Sequence, residues 1–224
     1  MHEVIDFERY PLDRIDSGNG QALVKRCRDD LARDGMFNLV GLLRPEAIEK
    51  VIAEVAPLFE VDAFTHSRKH NIYFLPEVPG LPSDHPALQQ FETINHTICS
   101  DQISNNVLVK LYQWAPFAAF LAAVMDKPAL HQMDDPLARL NVMGYGQGEA
   151  LNWHFDRSEF TTTLLLQSPE QGGEFQYRTG LRSDEDPNYE GVAEFLKHGQ
   201  ASASTLRLNA GTLNVFRGKN TAHR

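Results

Sequence analysis

Residues 141–156 read Asn141-Val142-Met143-Gly144-Tyr145-Gly146-Gln147-Gly148-Glu149-Ala150-Leu151-Asn152-Trp153-His154-Phe155-Asp156. A short apolar strand runs into a glycine-punctuated turn and then into an extended segment that carries His154 and Asp156 two positions apart. Successive residues of a strand point to opposite faces, so these two side chains project together while Phe155 enters the other layer. His154-Phe155-Asp156 is the only His-x-Asp tripeptide in the chain, and a second histidine, His223, stands far downstream in Thr221-Ala222-His223-Arg224. Two histidines and one carboxylate on one face, with coordination positions left open, form the facial triad that holds non-haem Fe(II). The geometry permits this triad without forcing it.

Downstream the texture is that of short strands. Thr161 to Gln167 is β-branched and apolar, Gly172-Gly173 introduces Glu174-Phe175-Gln176-Tyr177, and Gly211 to Phe216 reads as a further strand. This punctuation predicts a jelly-roll pair of sheets. Arg178 to Gln200 reads as an insertion, with Asp184-Glu185-Asp186-Pro187 capping a short helix that runs to about His198. Upstream the chain is helical. Asp16 and Ser17 cap a helix whose apolar positions Leu23, Cys27 and Leu31 recur at helical spacing, ending near Gly35. Met36 to Leu43 reads as strand and turn, and Pro45 opens a second helix with Ile48, Val51, Ile52, Val55 and Leu58 on one stripe. Residues 59–100 lack clear periodicity and read as a binding loop or lid. A third helical region spans about Asp101 to Met125, broken at Pro116, with Ile103, Val107, Leu108 and Leu111 facing inward.

Composition bounds the function classes. The 224 residues suffice for one sizeable domain, and the net charge of −9, spread along the chain, argues against nucleic acid or an anionic membrane surface as the main partner. Cys27 and Cys99 show no metal-type spacing and no disulfide framework, so a reducing cytoplasm is the expected compartment. The first residues lack a basic segment followed by an apolar run, and no stretch approaches the roughly 18 apolar residues of a membrane span.

Taken together, Asn141 to Gly146, Asn152 to Asp156, Gly172-Gly173-Glu174-Phe175 and Phe216-Arg217-Gly218 leading to His223-Arg224 resemble the 2-oxoglutarate-dependent Fe(II) oxygenases, most closely the HalD/BesD group of amino-acid halogenases and hydroxylases. The match is strong over about 138–224 and looser over about 17–137, where Arg68-Lys69-His70-Asn71 is also similar to the group. The resemblance implies an α+β chain: a double-stranded β-helix of the jelly-roll or cupin kind over about 138–224, with a helical part over about 1–137 packed on one sheet, together a single domain spanning 1–224. It implies Fe(II), 2-oxoglutarate and O2 as cofactor and co-substrates, with His154, Asp156 and His223 on the metal. The group's halogenases carry a small residue where this chain has Asp156, because a carboxylate on iron occupies the position that chloride needs. Hydroxylation of a C–H bond in a free amino acid or close derivative, with release of succinate and CO2, is therefore the expected reaction. Another oxidative outcome within the halogenase group is the alternative.

The superfamily also places an arginine roughly ten residues past the distal histidine, against the far carboxylate of 2-oxoglutarate. This chain stops at Arg224, which on a strand points away from His223. The expectation is a natural chain that continues beyond residue 224. For binding 2-oxoglutarate the candidates are Tyr145, Asn141, which shares its strand parity, and Thr163. For the substrate they are Arg68 and His70 as a carboxylate clamp, Arg157 facing an acidic group or pairing with Glu159, and Asn220 and Thr221 as donors beside the distal histidine. The expected partner is an amino-acid-like small molecule, with no nucleic acid, no membrane and, as an option, a second copy of the chain. Two other readings of the ligand set stay open: a non-catalytic metal-binding β-helix domain, and a zinc hydrolase, for which no glutamate lies at a motif spacing from His154.

Overall fold

In the computed structural model, which describes all of residues 1–224, helices and antiparallel sheets are built as an α+β chain. Helix α1 (Gly18–Asp34) begins where the Ser17 hydroxyl accepts from the Gly20 amide at 3.1 Å and stops at Gly35, whose φ of 74° is one that glycine adopts without strain. Its buried positions are Leu23, Cys27 and Leu31, and the α1 face they define lies on strand β1 (Met36–Leu39). Helix α2 (Pro45–Val61) has Pro45 in its first turn, where the missing N–H is harmless, and buries Ile48, Val51 and Val55.

Residues 59–100 are far more ordered than their composition suggests. They hold two strands, β2 (Phe64–His70) and β3 (Phe91–Cys99), paired in register over their length from Phe64 opposite Thr97 to His70 opposite Phe91. Only the stretch between them is irregular. The expectation of a long unstructured loop fails because β2 is polar on both faces, so no alternation announces it. The third helical region begins later than expected, as α3 (Val107–Gln113) and α4 (Ala115–Val124), with turns over 101–106 and Pro116 in the first turn of α4. No single helix is long and apolar enough to cross a membrane, and Leu108, Leu111, Phe117 and Phe120 lie in the main core.

Strands β4 (Asn141–Gly144), β5 (Thr161–Leu164), β6 (Phe175–Arg178), β7 (Ser204–Leu206), β8 (Leu213–Phe216) and β9 (Ala222–His223) follow, and all pair antiparallel in three sheets ordered β1-β8-β5, β2-β3-β4 and β7-β6-β9. Alternation sorts the faces of the first sheet. Phe37, Leu39, Leu213 and Val215 join the helices in the main core, so Asn38, Asn214 and Phe216 look the other way. Phe216 meets Phe175 of β6 at 5.1 Å, which sets the first and third sheets face to face.

A second, smaller core explains the insertion. Ile72, Tyr73, Val78 and Leu88 from the irregular stretch after β2 pack with Trp153, Phe155 and the insertion's Val192, Phe195 and Leu196. The insertion helix α5 (Tyr189–Glu194) is capped by Asn188, with its side chain accepting from the Gly191 amide, rather than by the acidic run before it.

Candidate metal centre

The segment 151–156 is not a regular strand, contrary to the expectation. It is extended and held at single points: His154 and His223 exchange backbone hydrogen bonds at 3.0 Å each way, the Asp156 amide donates to Gly218 at 3.1 Å, and the Phe155 amide donates to Ile72 at 2.9 Å. Trp153 and Phe155, both essentially unexposed, are driven into the second core. Their burial directs the intervening His154 towards the opposite side, where β9 brings His223.

His154, Asp156 and His223 thereby converge, with one ligand atom from each lying within 4.8 Å of the others. The Nε2 of His154 is 3.3 Å from one Asp156 oxygen and the Nε2 of His223 is 3.5 Å from the other. Each histidine is oriented in the same way. The Nδ1–H of His154 donates to the Asn152 carbonyl at 2.8 Å, and that of His223 donates to the Thr221 carbonyl at 2.9 Å. A carbonyl only accepts, so both rings carry their proton on Nδ1 and turn an Nε2 lone pair to the centre. Asp156 is fixed by the Thr161 hydroxyl, which donates to its second oxygen at 2.5 Å. Gly218 gives it room, since a Cβ there would collide with the Asp156 carboxylate and the Thr161 hydroxyl.

Electrostatics keeps the three groups in ligand form. Burial pushes Asp156 towards protonation, but His154 and His223, which gain a proton in the acidic range where the carboxyl titrates, and the Thr161 hydroxyl outweigh it and hold the carboxyl down at about 2. His223 goes to about 4, first because it is buried among Phe175 and Phe216 and then because His154 stands beside it. A ligand-competent carboxylate and a neutral imidazole at neutral pH are what a divalent transition metal requires, so the donor set fits such an ion.

The other sequence-derived candidates fall at different distances from this centre. Arg68 lays its guanidinium over the Phe74 ring at 4.2 Å, and that ring lies 5.4 Å from the His154 ring. Phe74 takes a φ of 55°, held there by the buried Asn71, whose side chain accepts from the Tyr73 and Leu75 amides. Arg68 has no anionic partner; burial and then the nearby charge of Arg157 lower its proton affinity. Arg157 is exposed and does not pair with Glu159, which is taken by Lys127 at 2.8 Å. His70 is buried with both nitrogens engaged: Nδ1 donates to the Asn71 carbonyl and Nε2 meets the Thr93 hydroxyl at 2.6 Å. Thr93 also accepts from the Asn152 amide, so His70 braces the metal-binding segment from behind.

Thr163 lies on the Thr161 face of β5, opposite Asn214. Tyr145 is 46% exposed, its hydroxyl touching only the Met143 sulfur, and the Asn141 amide is turned to the Leu137 and Leu140 carbonyls. Asn220 donates to Asp184, and Thr221 contributes the carbonyl that orients His223. Arg224 points away from His223, donating to Gln176 and covering the Trp153 ring at 4.8 Å.

Several residues escaped the reading of the sequence. Arg182 of the insertion lies over the Phe155 ring at 4.0 Å and donates to the carbonyls of Lys219 and Asp156, at 2.6 and 3.4 Å, tying both ligand-bearing segments together. Thr161 and Gly218 support the carboxylate directly. The signal for Gly218 was present, as a glycine close ahead of the distal histidine, in a turn over 218–220 that does not demand the positive φ of glycine; for Arg182 there was none.

The sequence profile of the HalD family, described as Halogenase D, matches residues 19–224. Among curated proteins no relative matches. Solved structures with a similar fold include the epimerase SnoN in complex with Fe3+, alpha ketoglutarate and nogalamycin RO, at 17% identity and a TM-score of 0.56, over 91% of this chain and 77% of that one. A prolyl hydroxylase from Trichoplax adhaerens, in complex with a hypoxia inducible factor peptide, aligns at 10% identity and a TM-score of 0.51, over 94% of this chain and 87% of that one.

Proposed function

The chain belongs to the HalD (halogenase D) family, and on that premise we propose that it is an Fe(II)- and 2-oxoglutarate-dependent dioxygenase that hydroxylates a C–H bond of an amino-acid-like small molecule. The observation that carries this reading is Asp156. A halide-transferring site needs the third protein position on iron free, whereas here a carboxylate fills it, is held by Thr161 and is given space by Gly218. On this reading the three antiparallel sheets form a double-stranded β-helix, and residues 1–224 act as one cytoplasmic domain, alone or as a homodimer.

Iron with bound 2-oxoglutarate supplies the oxidising chemistry when O2 is present, with succinate and CO2 as the other products. The residues of the chain do the rest. His154, Asp156 and His223 hold the metal, and their fixed Nδ1 protons keep both imidazoles aimed at it. Phe74, pinned by Asn71, covers His154 and carries Arg68 at the rim of the site. Arg68 and Arg157, both without an acidic partner, face the substrate's carboxylate, a role for which a planar guanidinium is suited. His70 supports the site without touching substrate, since both its nitrogens are engaged. A zinc hydrolase is disfavoured because the only carboxylate in the cluster is itself a ligand, leaving no general base.

The test is anaerobic loading with Fe(II) and 2-oxoglutarate, admission of O2 with a panel of amino acids in chloride-containing buffer, and mass spectrometry of the products. Products heavier by one oxygen, with stoichiometric succinate, are expected. Chlorinated products would remove the reading of Asp156, and no succinate with any substrate would leave a metal-binding domain without this activity.

A further inference from the structure

The β2-β3-β4 sheet has one covered face and one open face. On the covered side Ile98 and Val142 join the main core, and the Gly144 backbone lies against the Phe59 ring of α2. A polar chain stiffens this side. It runs from the Thr65 hydroxyl to His96 Nδ1 at 3.0 Å and from His96 Nε2 to Glu149 at 3.2 Å, and Glu149 accepts from the Gly146 amide at 2.6 Å. Alternation turns the remaining side chains of the three strands to the open face. There Arg68 stands opposite Thr93, His66 opposite Asn95, and Phe64 opposite Thr97, which in turn stands opposite Met143. The Phe64 and His66 rings lie 6.2 Å apart, and the Tyr145 hydroxyl touches the Met143 sulfur. Phe64, Met143 and Tyr145 are 63%, 41% and 46% exposed. Single exposed apolar side chains are ordinary, but a group of them on a rigidly backed sheet face marks a binding surface.

The open face leads away from the metal centre, and its chemistry changes in order along the way. At the near end Arg68, without an acidic partner, lies over Phe74, whose ring is 5.4 Å from that of His154. In the middle Asn95 is only 3% exposed, and its side-chain oxygen accepts from the Thr97 hydroxyl at 3.0 Å, which leaves its NH2 group to donate to a ligand. At the far end stand Phe64 and Met143, with Phe64 four residues from Arg68, about 13 Å along the strand. No aspartate or glutamate occupies this face of the three strands, in a chain that has 30 acidic residues. Cation, amide donor and apolar surface follow one another in one direction.

We propose that this face is the substrate platform and that the substrate is an N-acylated amino acid, a class that rests on the function proposed above and narrows it. The carboxylate meets Arg68, the acyl carbonyl accepts from the Asn95 NH2 group, and the acyl chain lies over Met143 and Phe64. A free amino acid held by Arg68 is too short to reach Phe64, so the far end of the face is used only by an acyl extension.

The experiment titrates the Fe(II)-loaded protein with N-acetyl-, N-hexanoyl- and N-decanoylglycine, by calorimetry under anaerobic conditions with 2-oxoglutarate present. A surface that covers the chain on one side predicts about a twofold gain in affinity per added methylene, roughly half the free energy of full burial. Phe64→Ser and Met143→Ser should each remove at least fivefold of the decanoyl gain, and Arg68→Met should weaken all three ligands alike. Val61→Ser, which changes an exposed apolar residue at the end of α2, should alter nothing. Affinity independent of chain length, or a chain-length gain undiminished in Phe64→Ser and Met143→Ser, overturns the platform. So does absence of binding by any acylglycine, and so does a dimer in sedimentation that Phe64→Ser dissociates, which would give the face to a second copy. None of these outcomes touches the oxygenase reading, which fails separately if no succinate forms with any amino acid or acylglycine once O2 is admitted.

Discussion

Replacing Thr161 by valine removes one hydroxyl of nearly unchanged shape and tests whether Asp156 is a positioned ligand or merely a nearby acid. The hydroxyl donates to the carboxylate oxygen that faces His223. A hydrogen bond to a charged acceptor contributes about 1.5–3 kcal/mol, which is roughly 10- to 150-fold in a binding constant, and loss of a partner behind a metal ligand commonly weakens the metal by about 10–100-fold. Protonation cannot supply the effect at neutral pH. Asp156 sits at about 2, so far below pH 7 that it stays ionised in the variant. The deficit must therefore come from lost orientation and be the same at pH 7 and pH 8. Calorimetric titration of the metal-free protein with Mn(II) or Co(II) measures it. Thr161→Val should bind about 10–100-fold more weakly at both pH values, Thr161→Ser should recover most of the loss, and Thr162→Val, on the other face of the strand, should change nothing. An undiminished affinity in Thr161→Val, or a deficit that disappears as pH rises, would mean that the Thr161 hydroxyl does not position Asp156.

Phe155→Ala empties a fully packed position of the second core and should cost about 3–5 kcal/mol in urea unfolding; a loss under 1 kcal/mol would mean that this core does not hold the metal-binding segment. Arg182→Met keeps apolar cover over Phe155 but removes the bonds to the Lys219 and Asp156 carbonyls, and should weaken Co(II) binding about tenfold with an altered visible spectrum, whereas an unchanged spectrum and affinity would reduce Arg182 to a surface role. His223 should make the metal-free protein acid-sensitive. Its folded pKa of about 4 lies below the unfolded value near 6.5, so in that window the unfolded chain takes up a proton that the folded chain refuses. Stability is then lost as pH falls, by about 3 kcal/mol across the window, with no contribution above it. Urea midpoints at pH 7.5, 5.5 and 4.5 should decline in the wild type and flatten in His223→Gln; a flat wild-type profile would contradict the burial argument.

What could be read from the chain, and what could not, divides along physical lines. Helix α1 announces itself through Ser17 and Gly35, and α2 through Pro45, because capping and backbone restriction are local. The metal ligands were legible because a chemical constraint, two residues apart, survives any uncertainty in register. Strands β2 and β3 were not, since polar residues on both faces of β2 leave no period and their pairing is decided across some thirty residues of chain. The second core was hidden for the same reason: Trp153 and Phe155 meet partners near residues 72–88 and 192–196 that no window contains. Thr161 and Thr163 share a face by alternation alone, but only the register against Phe216 and Asn214 shows which of them serves Asp156.

On the proposed function, this site transfers an oxygen atom from O2 to carbon. The most direct measurement is turnover under 18O2 with Fe(II), 2-oxoglutarate and an accepted amino-acid substrate, in the presence of chloride. One 18O in the hydroxylated product and one in succinate is the predicted result. A chlorinated product, or a product whose oxygen comes from water with no label in succinate, would contradict it.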